Sequence, residues 1–205
     1  SKLEVTHGIA GFLLANGALS DDDSVNIRQK LIENDKVEAI IVLPRNMFYS
    51  TDISVTLWIL NQNKKGGLWH GRQQRSRKGE ILFMDLRTWN ENIYEKKYVQ
   101  FLPEQIDKVV EIYHRWQAAG TDGTNFAEPE LYRSVGIEEI KENGWSLVPS
   151  RYIEFVDRDT NIDYENVMSE ASKTVASLLA RQEANDAALR KAFATLGFKL
   201  ETKVK

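Results

Sequence analysis

Residues Val37–Leu60, VEAIIVLPRNMFYSTDISVTLWIL, decide how the rest of the chain is read. Val37–Leu43 is a short continuous apolar run rich in β-branched residues, and Ile53–Leu60 is a second. A strand with one face in water alternates polar and apolar residues, so unbroken runs of this length predict strands buried on both faces. Between them, Leu43–Asp52 carries a proline, a basic residue and two adjacent aromatics. Open α/β sheets collect ligands at loops leaving the ends of buried strands, and this loop is expected to form part of a site.

Upstream, Gly8–Asn16 reads as another strand, Asn16-Gly17 as a turn, and Val25–Asn34 as a helix with Ile27, Leu31 and Ile32 on one face. With Val37–Leu43 these make a βαβ-type unit. Asp21–Asp23 has two readings, a metal site or a solvated helix start whose acids suit the helix dipole. Ile9–Ala15 has the look of a central strand. A domain seldom opens on its own sheet centre, so the chain is expected to be the later part of something longer.

Downstream, Asn61–Gly79 holds Lys64, Lys65, Arg72, Arg75, Arg77 and Lys78, with several glycines and no acid. Such a loop either meets nucleic-acid phosphates or is a solvated connection. It lacks the spacing of a phosphate-binding P-loop. Glu80–Leu86 reads as a fourth strand, with Asp85 near its end either functional or capping the next turn. Arg87–Phe101 reads as irregular. Pro103–Ala119 is a helix with Pro103 in its first turn and Gly120 beyond its end. Its packed face is expected to be Ile106, Val109, Val110, Tyr113 and Trp116 or Gln117. His114 has no partner at ligand spacing and reads as a core or surface histidine.

Ile137–Glu142 suits a short helix, Trp145–Val148 an extended segment, and Val156–Asn161 a polar linker. Ile162–Leu196 reads as one long helix. Tyr164, Met168, Ala171, Val175, Leu178, Leu189, Ala192 and Leu196 fall at three-and-four spacing, and Gln182 and Asn185 continue the seam as polar residues able to set register and partner. It either packs on its own domain or faces a partner. The expected domains are a sheet region over 1–100, a helix and irregular segment over 101–157, and a helical tail over 158–205.

The totals bound the class. The 205 residues suit one good core, or one core plus an appendage. A net charge of −3 excludes a general basic coat for nucleic acid but not a local basic patch. There are no cysteines, hence no disulfide framework, thiolate metal site or cysteine nucleophile. No apolar run approaches a membrane span and no signal peptide is visible, so the cytoplasm is the default expectation.

GIAGFLLANGALS, IRQKLIENDKVEAIIVLPRNMFYSTDISVTLWILNQNKKGG and GEILFMDLR, in that order, with EEI, NGW, L, P and RY before a terminal helix, resemble the modification (M) subunit of type I restriction–modification systems. The resemblance implies an N6-adenine DNA methyltransferase dependent on S-adenosylmethionine, and an α/β fold: the C-terminal half of a Rossmann-like methyltransferase sheet, followed by a helical region. The family's glycine-rich cofactor loop and its Asn-Pro-Pro-aromatic tetrapeptide are missing here, since the four prolines are never adjacent. The resemblance implies that both lie upstream of residue 1. Without groups to position or polarise the adenine amine, this polypeptide by itself is expected to be inactive.

The resemblance assigns the adenine-pocket wall to this chain. Phe48 matches the aromatic that stacks on the flipped base, with Tyr49 as the adjacent alternative; packing under the loop is the other reading of Phe48. Arg45 is a candidate phosphate contact or a plain surface arginine. Asn16 and Leu19 are candidates for the floor of the cleft. The implied partners are a specificity (S) subunit docked on Ile162–Leu196, a restriction (R) subunit, and double-stranded DNA. An exposed edge at Ile9–Ala15 would let two copies pair, an artefactual dimer. The alternative reading is a non-catalytic protein- or nucleic-acid-binding module on an α/β scaffold.

Overall fold

The computed structural model describes residues 3–95, 97–156 and 163–197. They fall in two units, Ser1–Val156 and Asp157–Lys205. The first is built on a mixed six-stranded sheet ordered β1-β3-β2-β6-β10-β9. Its central strands are β2 (Val37–Val42), β3 (Val55–Asn61) and β6 (Glu80–Asp85). On one side lies β1 (Ile9–Ala15); on the other lie β10 (Tyr132–Gly136) and β9 (Ala127–Glu128).

Every residue of β2 is buried because both sheet faces are covered. Alternation along the strand sends Ile40 and Val42 to one face, beside Trp58 and Phe83 and under Ile32 of α1 (Val25–Glu33) and Ile140 of α3 (Ile137–Glu142). Ala39 and Ile41 face the other way with Leu82 and Met84, against Ile112 and Trp116 of α2 (Pro103–Gln117). A bulge between Val37 and Ala39 breaks the alternation. Val37 therefore joins the Ile40 side, and Glu38 turns its carboxylate to Gln117 of α2.

Several expectations are revised. The segments β1, α1 and β2 follow one another as anticipated, but β3 is inserted between the two strands and runs antiparallel to both. Within this chain's sheet β1 is an edge strand, with most residues exposed. Ile53 lies outside β3 and is exposed. The helix α2 buries Ile112, Trp116 and Gln117, while Ile106 and Val110 of its expected face are exposed. The segment 87–101 is not wholly irregular: β7 (Ile93–Tyr94) and β8 (Tyr98–Val99) form a small antiparallel pair. β10 pairs with β6, so residues beyond 100 join the same sheet.

The reversed strand has a spatial consequence. β2 and β6 run parallel, so the 43–54 loop lies at the end of the sheet where both of them finish. β3 finishes at the opposite end, and 62–79 lies there, beside the start of β2; this stretch folds as the hairpin β4 (Gly67–Trp69) and β5 (Arg72–Gln74). The two loops are adjacent in sequence yet about 20 Å apart, the length of a six-residue strand.

The second unit is the helix α4 (Tyr164–Thr195), 32 residues long, with Asp163 accepting from the Asn166 amide at its start. None of its residues is buried. Residues 157–162, which include most of the anticipated linker and Ile162, lie outside the described residues. No helix among the described residues is long and apolar enough to cross a membrane.

Candidate functional site

A cleft of about 580 Å³ opens where β2 and β6 finish. Asn16, Arg45, Asp52, Ser54, Arg87 and Lys97 are among its walls. The loop between β2 and β3 is pinned at its neck, where the Leu43 amide donates to the Val55 carbonyl at 2.9 Å and Ser54 Oγ to the Leu43 carbonyl at 2.6 Å. Pro44 is buried beneath it. Asn46 sits at φ 61°, a left-handed conformation that asparagine tolerates better than most residues. That kink lets its carbonyl accept from the Val99 amide at 2.8 Å, tying the loop to β8.

The aromatics sit on this tie. Phe48 is half-buried, and Tyr49 is 69% exposed. The Tyr49 ring lies 4.3 Å from that of Tyr98, whose hydroxyl donates to the Tyr49 carbonyl at 3.4 Å. The nearby Glu95 carboxylate pushes the Tyr49 hydroxyl pKa upward.

Arginines and carboxylates border the cleft in pairs. Arg45 donates through Nε and Nη2 to Asp52, the closer contact being 2.8 Å. Arg87 grips Asp85 with Nε at 2.9 and 3.0 Å and Nη2 at 2.5 Å. The Asp85 side chain is only 8% exposed, whereas Arg87 is half exposed. That grip raises the Arg87 pKa. Asn16 Oδ1 accepts from Thr56 Oγ1 at 2.7 Å and lines the cleft. Leu19 is in the core, its carbonyl accepting from the Leu147 amide.

The six cations of 61–79 lie at the other end of the sheet and divide by burial. Arg77 is fully buried; its Nε donates to Glu38 Oε1 at 3.0 Å and its Nη atoms to the Arg75 and Asn63 carbonyls. Lys64 is buried and donates to the Val37 and Glu80 carbonyls and to Asp35 at 2.6 Å. Burial lowers its pKa, against the pull of Asp35. Arg75 pairs with Glu80 at 2.7 Å, and Arg72 reaches Gln117 Oε1 at 3.4 Å. Lys65 and Lys78 are exposed. Three of these cations are thus joined to carboxylates within the fold. His114 lines a separate groove between the hairpin and α2. Among the described residues no cluster of acids and histidines could hold a metal ion, Asp21–Asp23 included.

Sequence reading missed Arg87, Lys97 and Tyr98. The usable signal was Asp85-x-Arg87 at a strand end, since residues two apart in an extended segment point the same way.

A mixed sheet with a ligand-sized cleft at the shared ends of its parallel strands defines an α/β binding or catalytic scaffold. The family model N-6 DNA Methylase matches residues 2–161, and the chain belongs to that family. It is similar to the type I restriction enzyme MjaIX methylase subunit of Methanocaldococcus jannaschii, with 30% identity over 94% of this chain and 33% of the relative. It is also 30% identical to the HindI methylase subunit of Haemophilus influenzae, over 94% of this chain and 41% of that one. The chain therefore spans about a third to two fifths of these relatives' length. A solved chain described under complex assembly and conformational transition of the type I R-M system shares the fold, with TM-score 0.55 and 16% identity over 89% of this chain and 36% of that one.

Proposed function

We propose that this chain supplies the target-base wall of a cytoplasmic, type I-like DNA adenine-N6 methyltransferase. The observation that carries the proposal is the aromatic loop of 44–52, pinned to β8 at the rim of a cation-bordered cleft, in a chain of the N-6 DNA methylase family. An enzyme acting on a base inside a duplex must extrude it and hold it by stacking. Phe48 stacks on the adenine, and Tyr49, braced by Tyr98, flanks it. Double-stranded DNA approaches at the cleft end of the sheet; of the six cations of 61–79, Lys65 and Lys78 are exposed and Arg72 is half-buried.

S-adenosylmethionine supplies the methyl group in enzymes of this kind. Its sulfonium is a cation; Arg45 and Arg87 already occupy the Asp52 and Asp85 carboxylates, and Lys97 leaves the cleft lining with a surplus positive charge, which suits an anion. This cleft does not fit that cofactor, and no step of the transfer is assigned to its residues. Their part is to bind and orient the base and its strand.

Phe48→Ala in the assembled enzyme is expected to weaken target binding about 5- to 150-fold, the range of one base–aromatic stack. Folding should change little, because the side chain is already half exposed. A 2-aminopurine placed at the target base reads the extrusion directly. Wild-type binding and methylation by the variant would remove Phe48 from this role.

The partner reading rests on α4. Met168, Val175, Leu178 and Leu189 are all exposed on it, and with Gln182 and Asn185 they follow a heptad seam. An apolar seam of this length calls for a covering helix, here that of a specificity subunit, with a restriction subunit joining the same assembly. Changing Met168, Val175 and Leu178 together to serine should lower the affinity for the specificity subunit by well over about tenfold, since each buried aliphatic side chain contributes about 1.5–3 kcal/mol. Calorimetric titration of the two subunits checks this.

A further inference from the structure

We infer that Arg45 and Arg87 form a two-jawed clamp for the DNA backbone beside the target base, each held in position by its own carboxylate. This rests on the reading of the cleft as the target-base site and adds the phosphodiester as a second ligand there.

A guanidinium has five N–H donors. In both arginines the edge made by Nε and Nη2 is turned to a carboxylate, Asp52 for Arg45 and Asp85 for Arg87. Among the described residues, Nη1 of neither arginine has a hydrogen-bond partner. Both side chains line the same cleft, Arg45 69% and Arg87 49% exposed. Two flexible side chains are thus each tethered to a carboxylate at one opening, with a guanidinium donor to spare. Fork-shaped recognition of phosphate is what guanidinium geometry favours.

The carboxylates have a cost and a use. Each ion pair is close to neutral, so the clamp gives up part of its long-range attraction. In return the arginines lose little freedom when a phosphate arrives. Asp85 is the stronger positioning residue, because its side chain is nearly buried and its own amide is bound to the Leu131 carbonyl at 2.8 Å. Lys97 lines the same opening and supplies a positive charge with no ion pair among the described residues. A backbone phosphate accepting from both arginines would sit in the cleft that Arg45, on the aromatic loop itself, and Arg87 line together, and would hold the strand while the base turns inward.

The test uses the assembled methyltransferase and a duplex built on the sequence it methylates, mapped from N6-methyladenine in genomic DNA. Phosphates flanking the target adenine are replaced one at a time by neutral methylphosphonates. Wild-type protein should lose about tenfold or more in affinity at one or two positions, as expected for a hydrogen bond to a charged group. The charge-balanced double variant Arg87→Gln/Asp85→Asn should be weaker on the natural duplex, and nearly indifferent to the methylphosphonate at its own position. Arg45→Gln/Asp52→Asn should show the same at its position, and as a surface pair it reads the outcome even if the Asp85 variant fails to fold. Arg87→Lys, which keeps the charge without the fork, should restore part of the sensitivity. Equal methylphosphonate losses in wild type and both double variants would overturn the clamp, as would no sensitive phosphate at all. Phe48→Ala should keep the phosphate pattern while losing the 2-aminopurine signal, so failure of the stacking role and failure of the clamp give different results.

Discussion

Arg77→Met is expected to cost about 3–5 kcal/mol of folding stability, the usual penalty for leaving one member of a buried ion pair alone. Neither side chain of the Arg77–Glu38 pair reaches solvent. Glu38 Oε1 also accepts from Gln117 Nε2 at 2.9 Å, and Tyr113 packs beside it. Burial first, and the Glu38 charge second, push the Tyr113 hydroxyl pKa far above its ordinary value. Without Arg77 the carboxylate would lose its ion-pair partner and keep only the longer-range charge of Lys64. Glu38→Leu should be as damaging for the mirrored reason, while Glu38→Leu/Arg77→Met together should recover most of the loss. Urea unfolding monitored by tryptophan fluorescence gives the three values. If the double variant proved as unstable as the sum of the singles, the pair would not be the unit of stability it is taken to be.

Trp116→Ala is the second large effect, at about 3–5 kcal/mol for a truncated core indole. The ring is fully buried, and Nε1 donates to Ser134 Oγ at 2.9 Å, joining α2 to β10. The guanidinium carbons of Arg75 and Arg77 lie 5.4 and 5.8 Å from its centre. Truncation would open a cavity and strip a face from two cations at once. The thermal midpoint should fall by roughly 10 °C or more for a domain of this size. Trp116→Phe, which keeps a ring but not the N–H, should lose less. Differential scanning calorimetry on the two variants separates the packing contribution from the hydrogen bond. Because Trp116 touches Arg77, its loss should not add simply to that of the ion pair.

The central strands, α2 and α4 were legible because each carries one clear periodicity. An unbroken apolar run marks a strand covered on both faces, and a three-and-four seam marks a helix. Strand direction has no such signature, so the run ending at Leu60 could not reveal that it lies reversed between its neighbours. Closeness in sequence then suggested that the basic stretch adjoined the aromatic loop, when one strand length separates them. The burial of Arg77 did have a signal. Glu38 interrupts an otherwise apolar strand, and a carboxylate there demands a cation inside the fold. The hairpin of 93–99 left almost no trace, since its strands are two residues each and its role depends on the distant Asn46 and Tyr49.

The reversed β3 also gives this chain two ends that can be altered separately. A fluorophore or affinity handle at Leu68, 73% exposed on β4, would ride on the hairpin about a strand's length from the aromatic loop. Such a label offers a handle for immobilisation or single-molecule tracking that leaves the cleft end of the sheet clear.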